Sequence, residues 1–370
     1  MKAGGLVKRF TSVAVAVVVT SLVIAGPASA NPNIVNPIPG LNGVFGLPQL
    51  TGRTVAVAQA TGMSSPNETQ NVNMLGTDLG IMWDNGNGEI LTAFGDTAGL
   101  GLPNLLQGSL WSWRSSALVR SHDGNLTDGM SFDSIVKDPL GQAKELVPSP
   151  KIPFIEISRI PTAGVALGQN QFMSLMSVRD WGQPGHWETN YSSIAVSGDN
   201  GENWTVHPET QRPSDGGNRN FQQNAFLKDG GFVYEYGTPP GRGNSGYVSR
   251  VLEKDILNLA AYEYWTGAEW KKGDPALAAP IVGDVGELSV AYNQYLGQYL
   301  MLTTDASDSI VMRRSPSPVG PWSPPEVLVD TNQLRSAYAP YIHPWSSGPD
   351  LYFLATVHQN YNVLLLRTTL

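Results

Sequence analysis

The sequence predicts an all-β protein, a five-bladed β-propeller, and three observations predict it. Gly (40) and Pro (27) are plentiful while charged residues make up only 15% of the chain. That composition suits short strands and tight turns rather than long solvated helices. Strand-like runs alternate with Gly/Asn/Asp turns along most of the sequence. These runs fall into five groups of three or four, about 50 to 60 residues apart. One such sheet cannot bury both of its faces. Five packed around an axis can, and they leave a central funnel. A large β-sandwich is the competing architecture.

In chain order, residues 1–30 read as a cleavable signal peptide. Lys2, Lys8 and Arg9 form a positive start, Val13 to Ile24 is an apolar core, and Ala28-Ser29-Ala30 is a small-residue cleavage site. The core is short for a membrane span of roughly 20 residues. No later segment is apolar enough to cross a bilayer. The expectation is therefore a secreted protein, extracellular or in the cell envelope, without a membrane span after cleavage. Residues 31–54 are rich in Pro, Gly and Asn and read as an N-terminal arm. The propeller is expected over residues 55–370.

The first group is a hairpin. Gly80-Ile-Met-Trp-Asp and Glu89-Ile-Leu-Thr-Ala-Phe flank an Asn-Gly-rich turn, and a strand at Ser116-Ala-Leu-Val-Arg follows. The second begins at Gln171 and continues at Tyr191. The third runs from Asn224 through Phe232-Val-Tyr-Glu-Tyr to Ser245. The fourth takes Leu288, Gln298 and Ile310, and the fifth Ala339, Leu351 and Val363. One stretch, about Glu253 to Leu259, reads as a short helix. Ser197-Gly-Asp-Asn-Gly-Glu-Asn-Trp204 matches the Asp-box pattern Ser-x-Asp-x-Gly-x-x-Trp. There Asp199 can bond the turn's own amides, Gly201 supplies a positive φ, and Trp204 packs back on the blade. This element is structural, not catalytic.

The formal charge of the whole chain is −8, and losing a leader with three basic and no acidic residues makes the remainder more acidic. Nucleic acid and anionic lipid are disfavoured as partners, and a neutral substrate fits. The chain has no Cys and five His. Thiol catalysis and thiolate metal sites are excluded, and neither a metal nor a cofactor is expected. No Gly-x-Ser-x-Gly, phosphate-binding glycine loop or His-Glu-x-x-His is present. Carboxylates are the abundant chemical groups left. Glycoside hydrolysis needs two of them across the scissile bond, one as acid and one as base or nucleophile.

Asp78, in Gly76-Thr-Asp-Leu-Gly80, precedes one strand of the first hairpin. Asp96, in Phe94-Gly-Asp-Thr97, follows the other. Antiparallel pairing brings both to the same edge of the blade and so to the same rim of the funnel. Two turn-capping aspartates are the alternative. Glu287, just before an apolar inner strand, can point into the funnel or bond a rim amide. Asp180, Trp181, Asn190, Gln222, Gln223, Asn224 and Glu235 fit sugar recognition, each against a structural role. His343 reads as a packed histidine.

At these residues the chain resembles a known family. Gly-Thr-Asp-Leu-Gly, Phe-Gly-Asp-Thr, Asn-Tyr-Ser-Ser-Ile-Ala-Val with the Asp box, Phe-Gln-Gln-Asn-Ala-Phe, Tyr-Gly-Thr-Pro-Pro-Gly-Arg, Gly-Glu-Leu-Ser-Val and Tyr-Ala-Pro-Tyr follow in order. The ordered set resembles the exported actinobacterial endo-D-arabinanases, a glycoside hydrolase family once grouped only as a domain of unknown function. The resemblance implies cleavage of internal D-arabinofuranosyl linkages in arabinogalactan and lipoarabinomannan. It also implies that Asp78 and Asp96 carry the chemistry, with the division of roles open. Glu287, Asp180, Trp181, Asn190, Gln223 and Asn224 would contact the polysaccharide, and the protein would act as a monomer. A non-catalytic carbohydrate-binding propeller, an envelope lectin or scaffold, is the alternative function.

Overall fold

The structure is a computed structural model that describes residues 47–101, 111–183 and 185–370. The expected leader, and the expected arm as far as residue 46, lie outside the described residues. The fold is a five-bladed β-propeller. The first blade runs outward from β2 (Gly76–Asp84) through β3 (Ile90–Leu100) and β5 (Ala117–Ser121) to β6 (Ser134–Ile135), with β4 (Trp111–Arg114) on the far end of β3. The second is β7 (Ser158–Leu167), β8 (Asn170–Asp180), β9 (Glu188–Ser197) and β10 (Thr205–Pro213). The third is β11 (Gln223–Asp229), β12 (Phe232–Thr238), β13 (Asn244–Leu252), β14 (Glu263–Trp265) and β15 (Trp270–Lys272), with β16 (Val282–Val285) also paired to β13. The fourth is β17 (Leu288–Asn293), β18 (Gln298–Thr304), β19 (Ile310–Ser315) and β20 (Glu326–Val329). The fifth is β21 (Ala337–Ile342), β22 (Asp350–Val357), β23 (Asn362–Thr369) and, outermost, β1 (Thr54–Gln59).

The first and last strands of the described residues thus share one blade. β1 pairs antiparallel with β23, and the Thr54 and Thr368 hydroxyls bond at 3.1 Å. Beyond β1, the Thr61 hydroxyl donates to buried Asn362 at 2.7 Å. Leu47 and Leu50 pack against the apolar cluster of the fourth and fifth blades. The innermost strands, β2, β7, β11, β17 and β21, touch in sequence and close a ring.

A strand facing the channel has one free edge, so its amides on that side need no ladder partner. Pro161 in β7 and Pro340 in β21 occupy such positions, each at a register shift. Gly164 of β7 leaves room for the Trp83 ring of the first blade, which a Cβ would meet at 2.1 Å. The Asp box forms the turn after β9. Asp199 accepts from the Asn203 amide at 2.9 Å, Gly201 takes φ +87°, and Trp204 meets Trp83 edge-on at 6.3 Å between centroids. The box thereby ties the second blade to the first.

The expected helix at Glu253 to Leu259 is corrected. The segment forms two separate 3-10 turns, Glu253–Asp255 and Leu259–Ala261. Asn258 between them is extended, at φ −102° and ψ 92°, and interrupts any helical ladder. Among the described residues no helix is long and apolar enough to cross a membrane.

Candidate active site

The site begins in the pairing of β2 with β3. Thr77 faces Thr97, and their hydroxyls bond at 2.7 Å. Asp78 and Asp96 are the next residues on the two strands, where that register breaks. The ladder then shifts twice: Leu79 pairs with Phe94, and Ile81 with Ala93. Gly95 is left over on β3 and Gly80 on β2. Such bulges re-aim side chains. The shift holds Leu79 in the left-handed region at φ +67°, which costs about 1 kcal/mol or more. The Thr356 hydroxyl of the fifth blade holds the Leu79 amide there at 2.7 Å. Gly95 has no side chain because the Asp78 carboxylate occupies that space, with Oδ1 at 2.4 Å from where a Cβ would stand.

Asp78 and Asp96 line one cavity of about 280 Å³ at the mouth of the central channel. Asp78 is supported from the fifth blade, where the Tyr338 hydroxyl donates to Oδ2 at 2.9 Å. Its Oδ1 is closed off from solvent and receives no hydrogen bond of good geometry. Burial pushes the Asp78 carboxyl well above the usual carboxylate range. The charge of Asp96 adds to that rise and Glu287 adds less, while the Tyr338 and Tyr361 hydroxyls oppose it only in part.

Asp96 is supported from the other side and is 2% exposed. Ser158, the first residue of β7, donates to its Oδ1. Burial raises its carboxyl to about 7, against the Ser158 and Trp113 hydrogen bonds and the Lys151 ammonium. Two neighbouring acids thus both hold protons more tightly than a free carboxyl, as desolvation and like charge dictate.

Across the cavity stands Glu287, clamped by Arg242. The guanidinium donates to it through Nε at 3.0 Å and Nη2 at 2.9 Å, and to Asp308 through Nη1 at 2.8 Å. Burial opposes the Arg242 charge, but Glu287 and Asp308 more than offset it. The same guanidinium lies 5.0 Å from the centroid of the Tyr338 ring. Gly286 makes room for the arginine stem, which a Cβ there would meet at 2.8 Å.

Trp181 joins Asp78, Asp96 and Glu287 in lining the cavity, beside Trp187. Gln223 and Asn224 lie deeper, at a narrow waist of the channel that Glu287 also borders. Both are buried; the Gln223 amide and Asn224 Oδ1 have no partner among the described residues. Asp180 and Asn190 stand apart from these. Asp180 caps its own turn through the Gly182 amide at 3.2 Å. Asn190 donates to the Ile155 carbonyl at 2.7 Å. Gln222 ties the carbonyls of Arg212 and Asn218, and Glu235 pairs with buried Arg212 at 2.9 Å. His343 is packed beside Trp345, and burial lowers its ring to about 4.

Sequence reasoning did not single out Ser158, Trp113, Tyr338, Tyr361 or Arg242 as site residues. Arg242 does close the Tyr-Gly-Thr-Pro-Pro-Gly-Arg run, and Tyr338 opens Tyr-Ala-Pro-Tyr; those motifs were the available signal. Among the described residues no group of three or more His, Cys, Asp or Glu is gathered as a metal would need.

A family model described as "Domain of unknown function (DUF4185)" matches residues 64–367. Notoamide biosynthesis cluster protein J of Aspergillus sp. (strain MF297-2) is 30% identical over 305 residues, covering 76% of this chain and 79% of its own. Notoamide biosynthesis cluster protein J' of Aspergillus versicolor is 29% identical over 297 residues, covering 74% and 77%. Among solved structures, a Bacteroides ovatus ATCC 8483 protein thought to be a hydrolase aligns with a TM-score of 0.55 at 14% identity, over 80% of this chain and 86% of that one. An exo-beta-1,3-galactanase from Phanerochaete chrysosporium aligns with a TM-score of 0.51 at 10% identity, over 85% and 64%. At these identities the likeness to solved structures is one of fold.

Proposed function

The chain belongs to the DUF4185 family, and within it we propose that this protein is a glycoside hydrolase cleaving internal D-arabinofuranosyl linkages of cell-envelope arabinan. The observation that carries the reading is a pair of acids, Asp78 and Asp96, both with raised pKa, lining one cavity. Titratable pairs tuned in this way are what acid–base hydrolysis requires. The galactanase-like fold supports a glycoside as substrate. The ordered motifs from Gly76 to Tyr341 support D-arabinan, as in arabinogalactan and lipoarabinomannan. The fungal relatives are named for a biosynthetic cluster rather than a glycan, so the substrate rests on the motifs and cavity of this chain. The leader expected at residues 1–30 supports action outside the cytoplasm.

The two environments divide the roles. Asp78, its carboxyl pushed up by burial and by the charge of Asp96, is assigned as the general acid, protonating the glycosidic oxygen as its bond to the anomeric carbon breaks. Asp96, with its carboxyl near 7, is the carboxylate partner, as base toward water or as nucleophile toward the anomeric carbon. Glu287, ion-paired with Arg242, borders the same cavity.

The test is incubation of the purified protein with arabinogalactan and chromatography of the products. Oligoarabinosides are expected from the wild type. Asp78→Asn and Asp96→Asn should each lower the rate by at least about 100-fold. A wild type that binds the polymer and releases nothing refutes the enzyme. Full activity in both variants refutes the assignment of the acids.

A further inference from the structure

Beside the cavity, the chain displays an exposed apolar loop. Ile152, Phe154 and Ile155 are 46%, 70% and 61% exposed. Clustered exposed apolar side chains mark interaction sites more often than chance surface.

The loop is fixed rather than slack. Lys151 and Phe154 both hold left-handed backbone, at φ +58° and +64°, a costly state for residues with side chains that persists only when surroundings impose it. Four attachments impose it. The Phe154 amide donates to the Arg179 carbonyl at 2.8 Å, and Ile152 and Glu156 exchange amide bonds at 3.0 Å. Asn190 holds the Ile155 carbonyl at 2.7 Å, and Lys151 Nζ meets Glu145 at 2.6 Å. Glu156 is itself fastened by Arg159 at 2.9 Å and by the Ser177 hydroxyl at 2.6 Å.

These attachments also locate the loop. It runs directly into Ser158, which bonds Asp96. Its amide bond to Arg179 fastens it to the end of β8, next to cavity-lining Trp181. Its single cation, Lys151, is neutralised by Glu145, so it presents an uncharged apolar face.

We propose that the Lys151–Ile155 loop is a preorganised platform for the stretch of neutral glycan chain that extends beyond the cavity, its Phe and Ile side chains covering the C–H faces of the sugar rings. The proposal rests on the glycosidase reading for the identity of its occupant. Rigidity is what makes such a contact effective, because little freedom is lost when the chain settles on it.

Phe154→Asn removes the apolar face and keeps a residue that tolerates left-handed backbone. Wild type and variant are compared on arabinogalactan and on a short arabinofuranosyl oligosaccharide that fills only the cavity. Retention on insoluble arabinogalactan and sedimentation with phosphatidylcholine vesicles are measured beside them. The variant should lose about tenfold in kcat/KM on the polymer, through KM, as when one well-seated aromatic contact is removed. It should keep the short substrate within about twofold and bind less polymer. Unchanged kinetics on the polymer, or equal losses on both substrates, overturn the platform. So does vesicle binding by the wild type that the variant loses, which makes the loop a lipid contact. A wild type that hydrolyses neither substrate yet holds the polymer through Phe154 refutes the glycosidase and leaves the platform standing. One that neither binds nor hydrolyses overturns both.

Discussion

At Asp96, burial and hydrogen bonding pull in opposite directions, and burial prevails. Its carboxyl sits at about 7 in the folded protein against an ordinary 3.8. The folded state therefore prefers the neutral acid. The stabilising contribution is complete below about pH 4 and is lost as pH rises through 7. Asp96→Asn should match the wild type in urea melts near pH 4 and exceed it at pH 8, by a few kcal/mol at most, roughly 1.4 kcal/mol for each pKa unit. A difference that does not change with pH would sink this account. Tyr338→Phe deletes the hydroxyl that favours the ionised form of Asp78. The Asp78 pKa should rise further, so the alkaline limb of the kcat profile should move to higher pH, with an activity loss of about tenfold. An unmoved limb would mean that Asp78 is not the acid. That Asp78 and Asp96 share one rim was legible in the sequence, through the hairpin that joins their glycine-flanked motifs. Their partners were not. Ser158 and Tyr338 reach Asp96 and Asp78 from separate blades, and no spacing rule along the chain encodes such a meeting.

Among the elements, β2, β3, β5, β8, β9, β11 to β13, β17 to β19 and β21 to β23 match strand-like runs of the sequence, whereas the short β4, β6, β10, β14 to β16 and β20 were not read. β7 was missed altogether. Pro161 and Gly164 interrupt its pattern, and both are admissible only because β7 borders the channel and Trp83 needs the space. β1 was missed because its partner is at the other end of the chain. The expected helix failed for the converse reason: a locally favourable run was overruled by an extended Asn258. The bulges of β2 and β3 yield a prediction at this scale. A Cβ at Gly95 would stand 2.4 Å from Asp78 Oδ1, the tip of a movable side chain. Gly95→Ala should therefore displace the carboxylate more than it disturbs the fold. Activity should fall about 100-fold, with a stability loss of roughly 1–3 kcal/mol in denaturant melts. Full activity would mean that Asp78 is not held against Gly95 in solution.

For the whole molecule, stability depends on the junction of β1 with β23. Asn362 is 1% exposed. It accepts from Thr61 at 2.7 Å and donates to the Leu75 carbonyl, at the entrance to the first blade, at 3.3 Å. Asn362→Ala strands buried polar groups on both sides of the closure. It should cost roughly 2–4 kcal/mol, read from the urea midpoint of the intact chain. A loss no larger than that of an exposed Asn→Ala control would show that the ring does not depend on this residue.

The shared blade also sets an order of events during synthesis. A ribosome delivers Thr54–Gln59 long before its partner Asn362–Thr369, so β1 waits, its edge unpaired, while the strands between them are made. Asp78 and Asp96 emerge early as well. Yet the hydroxyl that steadies Asp78 arrives only with Tyr338 of the closing blade. A nascent or prematurely terminated chain carries both acids without the surroundings that tune them. The surroundings of the two acids are therefore complete only once Tyr338 has been made and the fifth blade has closed.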